Sequence, residues 1–176
     1  MPIRHSGDLG EDLRQLQALG RRMPRIAGAL GVAHFKQSFK KQGFTDRSLD
    51  KWPERKRRDG ERNRRAILIK TGALRRSVRI VRMGHNRVIV GSELSYAQIH
   101  NEGGRISGTQ QIPQHRRKTH TRRVRGRRQS VSEHSVSAHS RNVNFEIPQR
   151  QFLGNSRVLN RKIERKLIQE LRRILS

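Results

Sequence analysis

His100 and Glu102 lie two positions apart, just ahead of Gly103-Gly104, and form a candidate pair of general base and orienting carboxylate. A histidine beside a glutamate in a loop is more usually polar surface, so no catalytic role is assigned to them. His115, His120, His134 and His139 are the other chemically capable set. Across two paired strands they would offer imidazoles to a metal, but arginines crowd the same stretch and the chain has no cysteine. They are expected instead to bond phosphates, carboxylates or neighbouring backbone. GxSxG, HExxH, a phosphate-cradling glycine loop and the paired acids of hydrolytic sites are all missing. The reading is therefore of a protein that is not an enzyme, with no catalytic, cofactor-binding or metal-binding residues.

Charge carries more information. The 176 residues hold 41 Lys+Arg against 14 Asp+Glu, a formal net charge of +27, with 31% hydrophobic and 4% aromatic residues. Such an excess repels itself and calls for an anionic neighbour, either nucleic acid or an acidic protein. A solvated basic surface is the plain alternative. The excess is uneven. Gly104–Phe145 carries ten basic residues against the single acid Glu133, whereas Thr45–Arg65 mixes nine basic residues with five acids and reads as a solvated connector. Arg116, Arg117, Lys118, Arg122, Arg123, Arg125, Arg127, Arg128 and Arg141 are thus the candidate contacts to DNA or to a partner. Aromatics are nearly missing from this stretch, which argues against stacking on single strands, so any DNA contact is to the backbone. The longest apolar runs, Ala66–Ile69 and Val88–Val90, are far below the ~20 residues that cross a bilayer, and the N-terminus lacks a signal-like apolar core. No membrane partner is expected. Without cysteine, stability must come from packing or assembly.

The elements that would hold these residues follow from periodicity. Leu9, Leu13, Leu16 and Leu19 repeat at helical spacing behind an acidic cap at Asp8–Glu11, and Pro24 should break or kink that helix. A second helix is expected through Ile26, Leu30 and Phe39, ending near Gly43. Trp52, the only tryptophan, should anchor the connector to the core. Ala66–Lys70 reads as a turn or short helix, and Thr71-Gly72-Ala73-Leu74 as a helix-to-strand corner. Ser77–Met83 and Arg87–Gly91 form a hairpin, with Val78, Ile80 and Arg82 on one side, although Val81 and Met83 blur the alternation. Tyr96–His100 is a helical turn stopped by Gly103-Gly104. The basic segment has a His-Ser/Thr-Arg echo at 119–122 and 138–141 and reads as a long two-stranded arm with its tip near Gly126–Glu133, or as a loop. Leu159, Ile163, Leu167 and Leu171, with Ile168 and Ile174, mark a closing amphipathic helix.

Four stretches in order resemble the phage virion morphogenesis proteins, the Mu-type tail-completion family. They are Trp52-Pro53; Ile67–Ser77; Val90-Gly91-Ser92 with Tyr96–Gly104; and Ile147–Gly154. The resemblance runs from about Phe39 to the C-terminus. It singles out Trp52, Thr71, Gly72, Leu74, Gly91, Tyr96, His100, Glu102, Gly103, Gly104, Pro148, Arg150, Phe152, Leu153 and Gly154 as structural motif positions. The stretch between the last two motifs is longer and more basic than in the simplest members. The resemblance implies a structural subunit acting in a ring, taken as a hexamer, at the head–tail junction or tail end. Its neighbours would be connector, portal or tail proteins, with genomic DNA a further contact. The chain would pass from the host cytoplasm into the virion.

The expected fold is α+β: a small antiparallel sheet packed by N- and C-terminal helices, with a basic hairpin arm or loop. Its parts are a helical region at 1–44, a charged connector at 45–65 and an α+β tail-completion domain at 66–176 whose arm spans 105–145. The rival class is a nonspecific nucleic-acid-binding protein of ribosomal or nucleoid type.

Overall fold

The computed structural model describes residues 9–55 and 66–176; part of the charged connector, and the Asp8 cap, lie outside them. The chain divides into two compact units, one running to Gly103 and resuming over Pro148–Ser176, the other Gly104–Ile147. The architecture is α+β, with small antiparallel sheets and helices at both ends.

In the first unit, α1 is a single helix, Leu9–Lys41, with Pro24 inside it. The expected break at Pro24 does not occur. Proline deletes one hydrogen bond and presses on the carbonyl four residues back, which here belongs to Gly20, a position with nothing within 4 Å of where a Cβ would be. Pro24 is itself buried, on the same face as Gly28, Gly31, Phe35 and Phe39, so packing of that stripe outweighs one lost bond.

The stripe is narrowest at its glycines. A Cβ on Gly28 would stand 2.6 Å from Ile80 Cδ1 and 2.8 Å from Val88 Cγ2, and one on Gly31 would stand 3.3 Å from Val90 Cγ2. Those three side chains come from the hairpin of β3 (Arg79–Met83) and β4 (Val88–Gly91), which therefore lies close on the helix. Ile80 pairs with Val90 and Arg82 with Ile89, with the register shifting between them. Val81 is the extra residue of a bulge. The blurred alternation thus has a cause, and it corrects the face assignment: Arg82 is exposed opposite exposed Ile89 and does not share the side of Val78 and Ile80.

Before this hairpin comes a smaller one that the polar composition of the connector concealed. It pairs β1 (Gly43–Thr45) with β2 (Leu49–Lys51). The chain then turns at Ile67-Leu68 and enters α2 (Ala73–Ser77) through Gly72, whose φ of 71° is left-handed. Gly72 therefore opens a short helix, and the passage to strand comes afterwards, at Val78. Helix α3 (Ala97–Glu102) ends at Gly103, φ 74°, whose N–H donates to Ile99 O at 3.0 Å. The core gathers Phe35, Phe39, Phe44, Trp52, Leu74, Val78, Ala97, Phe152 and Leu159. Phe39 sits at its centre, 5.2 Å from the Phe152 ring and edge-on to Trp52 at 5.6 Å. The closing helix α4 (Arg157–Ile174) starts at Ser156, whose Oγ accepts from Leu159 N and donates to Thr45 O at 2.8 Å.

The second unit is a succession of antiparallel pairs: β5 (Gly104–Ile112) with β10 (His139–Ile147), β6 (His115–Arg117) with β9 (His134–Val136), and β7 (His120–Val124) with β8 (Arg127–Val131). The chain reverses at Arg125-Gly126, both with positive φ (46° and 82°), as a two-residue I′ hairpin requires. Almost every residue of these strands is exposed.

Two outcomes follow from this packing. Gly20→Ala should raise stability by about 0.5–1 kcal/mol through helix propensity alone. Gly28→Ala gains the same propensity but overpacks against Ile80 and Val88, and should lower stability by about 1–2 kcal/mol; urea unfolding of the two variants checks the opposite signs. The other outcome concerns His34, 5% exposed, whose Nε2 donates to Thr45 O at 3.1 Å while its Nδ1 is buried without a partner. Burial, reinforced by Lys162 and Lys41, holds it below its ordinary pKa of 6.5. The fold then binds fewer protons than the unfolded chain, so stability should be full above pH 6.5 and fall on acidification below it. Between pH 7.5 and 5.5 the urea midpoint should drop more in the native protein than in His34→Gln, and equal drops would refute the assignment.

Candidate functional site

The motif positions gather where widely separated segments meet in the first unit. The indole of Trp52 donates from Nε1 to Gln151 O at 2.7 Å. Arg150, buried, donates from Nε and Nη2 to Pro53 O at 3.2 and 3.0 Å and from Nη2 to Glu54 O at 3.4 Å. Its backbone N–H donates to His100 O at 2.8 Å. Phe152 is wholly buried and Leu153 half-buried, and both of their N–H groups donate to Asn101 Oδ1, at 2.9 and 2.8 Å. Pro148 leads into this segment, and Gly154, with φ 155°, leaves it at a spot where a Cβ would collide with the Gln151 amide.

The remaining motif positions are placed around these. Leu74 is buried, while Thr71 is exposed and its Oγ1 accepts from Ala73 N at 3.3 Å. Gly91 closes β4 beside the Val81 bulge. Tyr96, 41% exposed, stands edge-on to His100 at 6.0 Å. Glu102 accepts from Gln98 Nε2 at 3.1 Å, and no hydrogen bond joins it to His100, so the candidate base and carboxylate are not assembled. Gly103 and Gly104 both take positive φ at the start of β5.

A cavity of about 430 Å³ opens among Arg55, Lys70, Tyr96, His100 and Arg150, against the apolar wall of Leu68 and Leu74. Burial, and then the charge of Arg150, keeps His100 below its ordinary pKa, so its ring is neutral at pH 7.

Four bonding residues here escaped the sequence reading: Gln42, Asp46, Asn101 and Ser156. Gln42 donates to Phe39 O and Ile67 O and accepts from Ile67 N, holding the turn before α2. Asp46 Oδ1 accepts from Arg157 N at 2.7 Å, a second cap on α4. Only Asn101 had a signal, since it lies inside the Tyr96–Gly104 stretch; the others are ordinary polar residues whose partners are far away in sequence.

In the second unit the strands bring five of the candidate cations to one hairpin end. Arg122, Arg123, Arg125, Arg127 and Arg128 surround the Arg125-Gly126 reversal, and Arg123 lies directly opposite Arg128. Like charges so placed repel. Arg116 and Arg117 lie one pair of strands away, with Arg116 bridging Glu133 at 3.0 Å, an exposed contact worth little. Lys118 falls between β6 and β7. Arg141 stands apart from that end, on β10, donating to Gln110 Oε1 at 2.9 and 3.2 Å.

The histidines follow one rule. Each of His115, His120, His134 and His139 is the first residue of its strand. Each bonds through Nδ1 to the carbonyl two residues earlier, on Pro113, Lys118, Ser132 and Ser137, at 2.9–3.1 Å. They tie the backbone together where the ladder is interrupted. The sequence echo at 119–122 and 138–141 is half of this fourfold pattern. Among the described residues no group of three or more His, Asp or Glu is placed to hold a metal ion, and no helix is long and apolar enough to cross a membrane.

No curated protein and no solved structure matches the chain. A family model does, over residues 8–172, and it is that of a virion-assembly family. The ordered stretches from Trp52 to Gly154, joined in space as they are joined in sequence order, lie within that match, and the chain belongs to the phage virion morphogenesis family.

Proposed function

We propose that this virion-assembly protein is a tail-completion or head–tail connector subunit that works in a hexameric ring at the head–tail junction, docking on connector, portal or tail proteins. The observation that carries the reading is the contrast between the two units within one family match. The first has a core and closes on itself. The second has strands exposed on both faces and ten basic residues against one acid over Gly104–Phe145, so it has little to gain from its own burial and much from an anionic partner. Its basic residues serve as the contact to the particle, through DNA phosphates or an acidic neighbour. The chain supplies binding surface and shape to assembly, not catalysis.

A specific feature supports a DNA contribution. Arg123 and Arg128 are directly opposite in the register, with no ion pair to a carboxylate among the described residues, and a phosphate bridging the two would relieve their repulsion.

Removal of Ser107–Arg141 tests the role. The flanking segments are fastened without it, by Arg150 N to His100 O and by the two bonds to Asn101. The shortened protein should therefore keep its unfolding midpoint, while phage carrying it should accumulate unjoined heads and tails. Complete, infectious virions from that phage would refute the role, and images of purified protein or particles without ring symmetry would refute the ring. If the five arginines of the hairpin end neutralise phosphates, log K against log[salt] for duplex DNA should have a slope of about −4 to −5. The deletion should abolish that slope, and a slope unchanged by it would remove DNA as their partner.

A further inference from the structure

Arg150 is 8% exposed and sits among backbone carbonyls, with no ion pair to a carboxylate among the described residues. A buried cation is ordinarily neutralised by a paired acid. Here the nearby charges have the same sign. Arg55 and Lys70 stand on the wall of the same cavity, and burial, then the charge of Arg55, depress the Arg150 guanidinium from its ordinary value. Arg150 uses Nε and Nη2 on Pro53 and Glu54, leaving the Nη1 protons without a bond among the described residues. His100 adds a buried Nδ1 that has no partner among the described residues. The cavity is thus a concentration of positive charge and unused hydrogen-bonding capacity, and none of the described residues lining it is acidic.

We propose that this cavity is a docking site for the carboxylate side chain of an acidic segment on a neighbouring protein. The carboxylate would meet Arg150 and Lys70, and its methylene stem would lie on Leu68 and Leu74. That apolar wall favours an amino-acid side chain over a phosphodiester, whose charge is carried on the outside of a wide duplex that a cavity of about 430 Å³ does not admit. The site lies wholly in the first unit and is independent of what the exposed strands touch. It also gives Arg150 and His100, two motif positions without a catalytic task, a common purpose.

The test is an NMR titration of the full chain with N-acetylglutamate N-methylamide, with the glutamine analogue and inorganic phosphate as comparisons at matched ionic strength. Saturable shifts should centre on Leu74, Tyr96, His100 and Arg150, and the glutamine analogue should produce none. Lys70→Gln, an exposed change, should weaken binding about threefold to fivefold, and Arg150→Met should abolish it. Because Arg150→Met also removes the anchor to Pro53, the Lys70 variant decides the matter if that protein does not fold. Shifts confined to the arginines of Gly104–Ile147, or unchanged binding in Lys70→Gln, would overturn the site. Phosphate binding as tightly as the glutamate probe would overturn the acidic side chain as its ligand. Binding seen only after Asp59→Asn and Glu61→Gln would assign the cavity to the chain's own acids and overturn docking.

Discussion

The first unit depends on side chains that bond to backbone about a hundred residues away. Trp52 to Gln151, Arg150 to Pro53 and Glu54, Ser156 to Thr45, and Asp46 to Arg157 all cross from the early hairpin to the segment before α4. Asn101 makes the same kind of connection from α3. The reason is a shortage of apolar mass. With 31% hydrophobic residues, one aromatic cluster around Phe39 has to organise four helices and two hairpins, and loops without strands of their own must be tied down by other means. A buried peptide group left unpaired costs about 1–3 kcal/mol, so each of these bonds both removes a penalty and fixes where a segment runs. Gly103 and Pro148, where the chain leaves and rejoins this unit, lie between such bonds.

The second unit obeys a different constraint. Two-stranded ladders are marginal in water unless a face is buried, and these strands bury almost nothing. What they have instead is local chemistry: an Arg-Gly reversal with positive φ at both residues, and four histidines that bond back over each interruption. Each imidazole commits Nδ1 to the carbonyl two residues earlier, so the side chain supports the backbone where the ladder is interrupted. The arrangement organises cations without neutralising them.

How much of this was legible in the sequence depended on the range of the interaction. Helix α4, the β3–β4 hairpin and the stop at Gly103 could be read because period and turn chemistry are local. The Trp52 anchor could be read because a lone tryptophan in a charged stretch has few other uses. The break expected at Pro24 does not occur because the rule concerns one turn, whereas the helix runs over 33 residues and buries Pro24 together with Gly28, Gly31, Phe35 and Phe39. Hairpin β1–β2 was hidden because its strands are only three residues long and β2 is exposed throughout. Gln42, Asp46 and Ser156 were invisible because nothing about a glutamine, an aspartate or a serine announces a partner far along the chain. Trp52, Arg150 and Phe152, far apart in sequence, are parts of one fastening in the first unit.

That fastening also bears on how the charge of +27 should be understood. Most of the excess is solvated and inexpensive, and an exposed arginine carries little information about what it meets. Arg150 is different, because its guanidinium is buried and, among the described residues, bonds to backbone carbonyls and to no carboxylate, which is an unfavourable setting for a charge. A methionine of similar volume would fill the space, but it would surrender the bonds to Pro53 and Glu54 together with the positive potential of the cavity. A sequence that keeps the arginine there keeps both, so the same side chain that closes the core also gives the cavity its sign. Fold and recognition are in this way carried by one residue, and the chain's charge has two kinds of address: a diffuse one on the exposed strands and a shaped one beside His100.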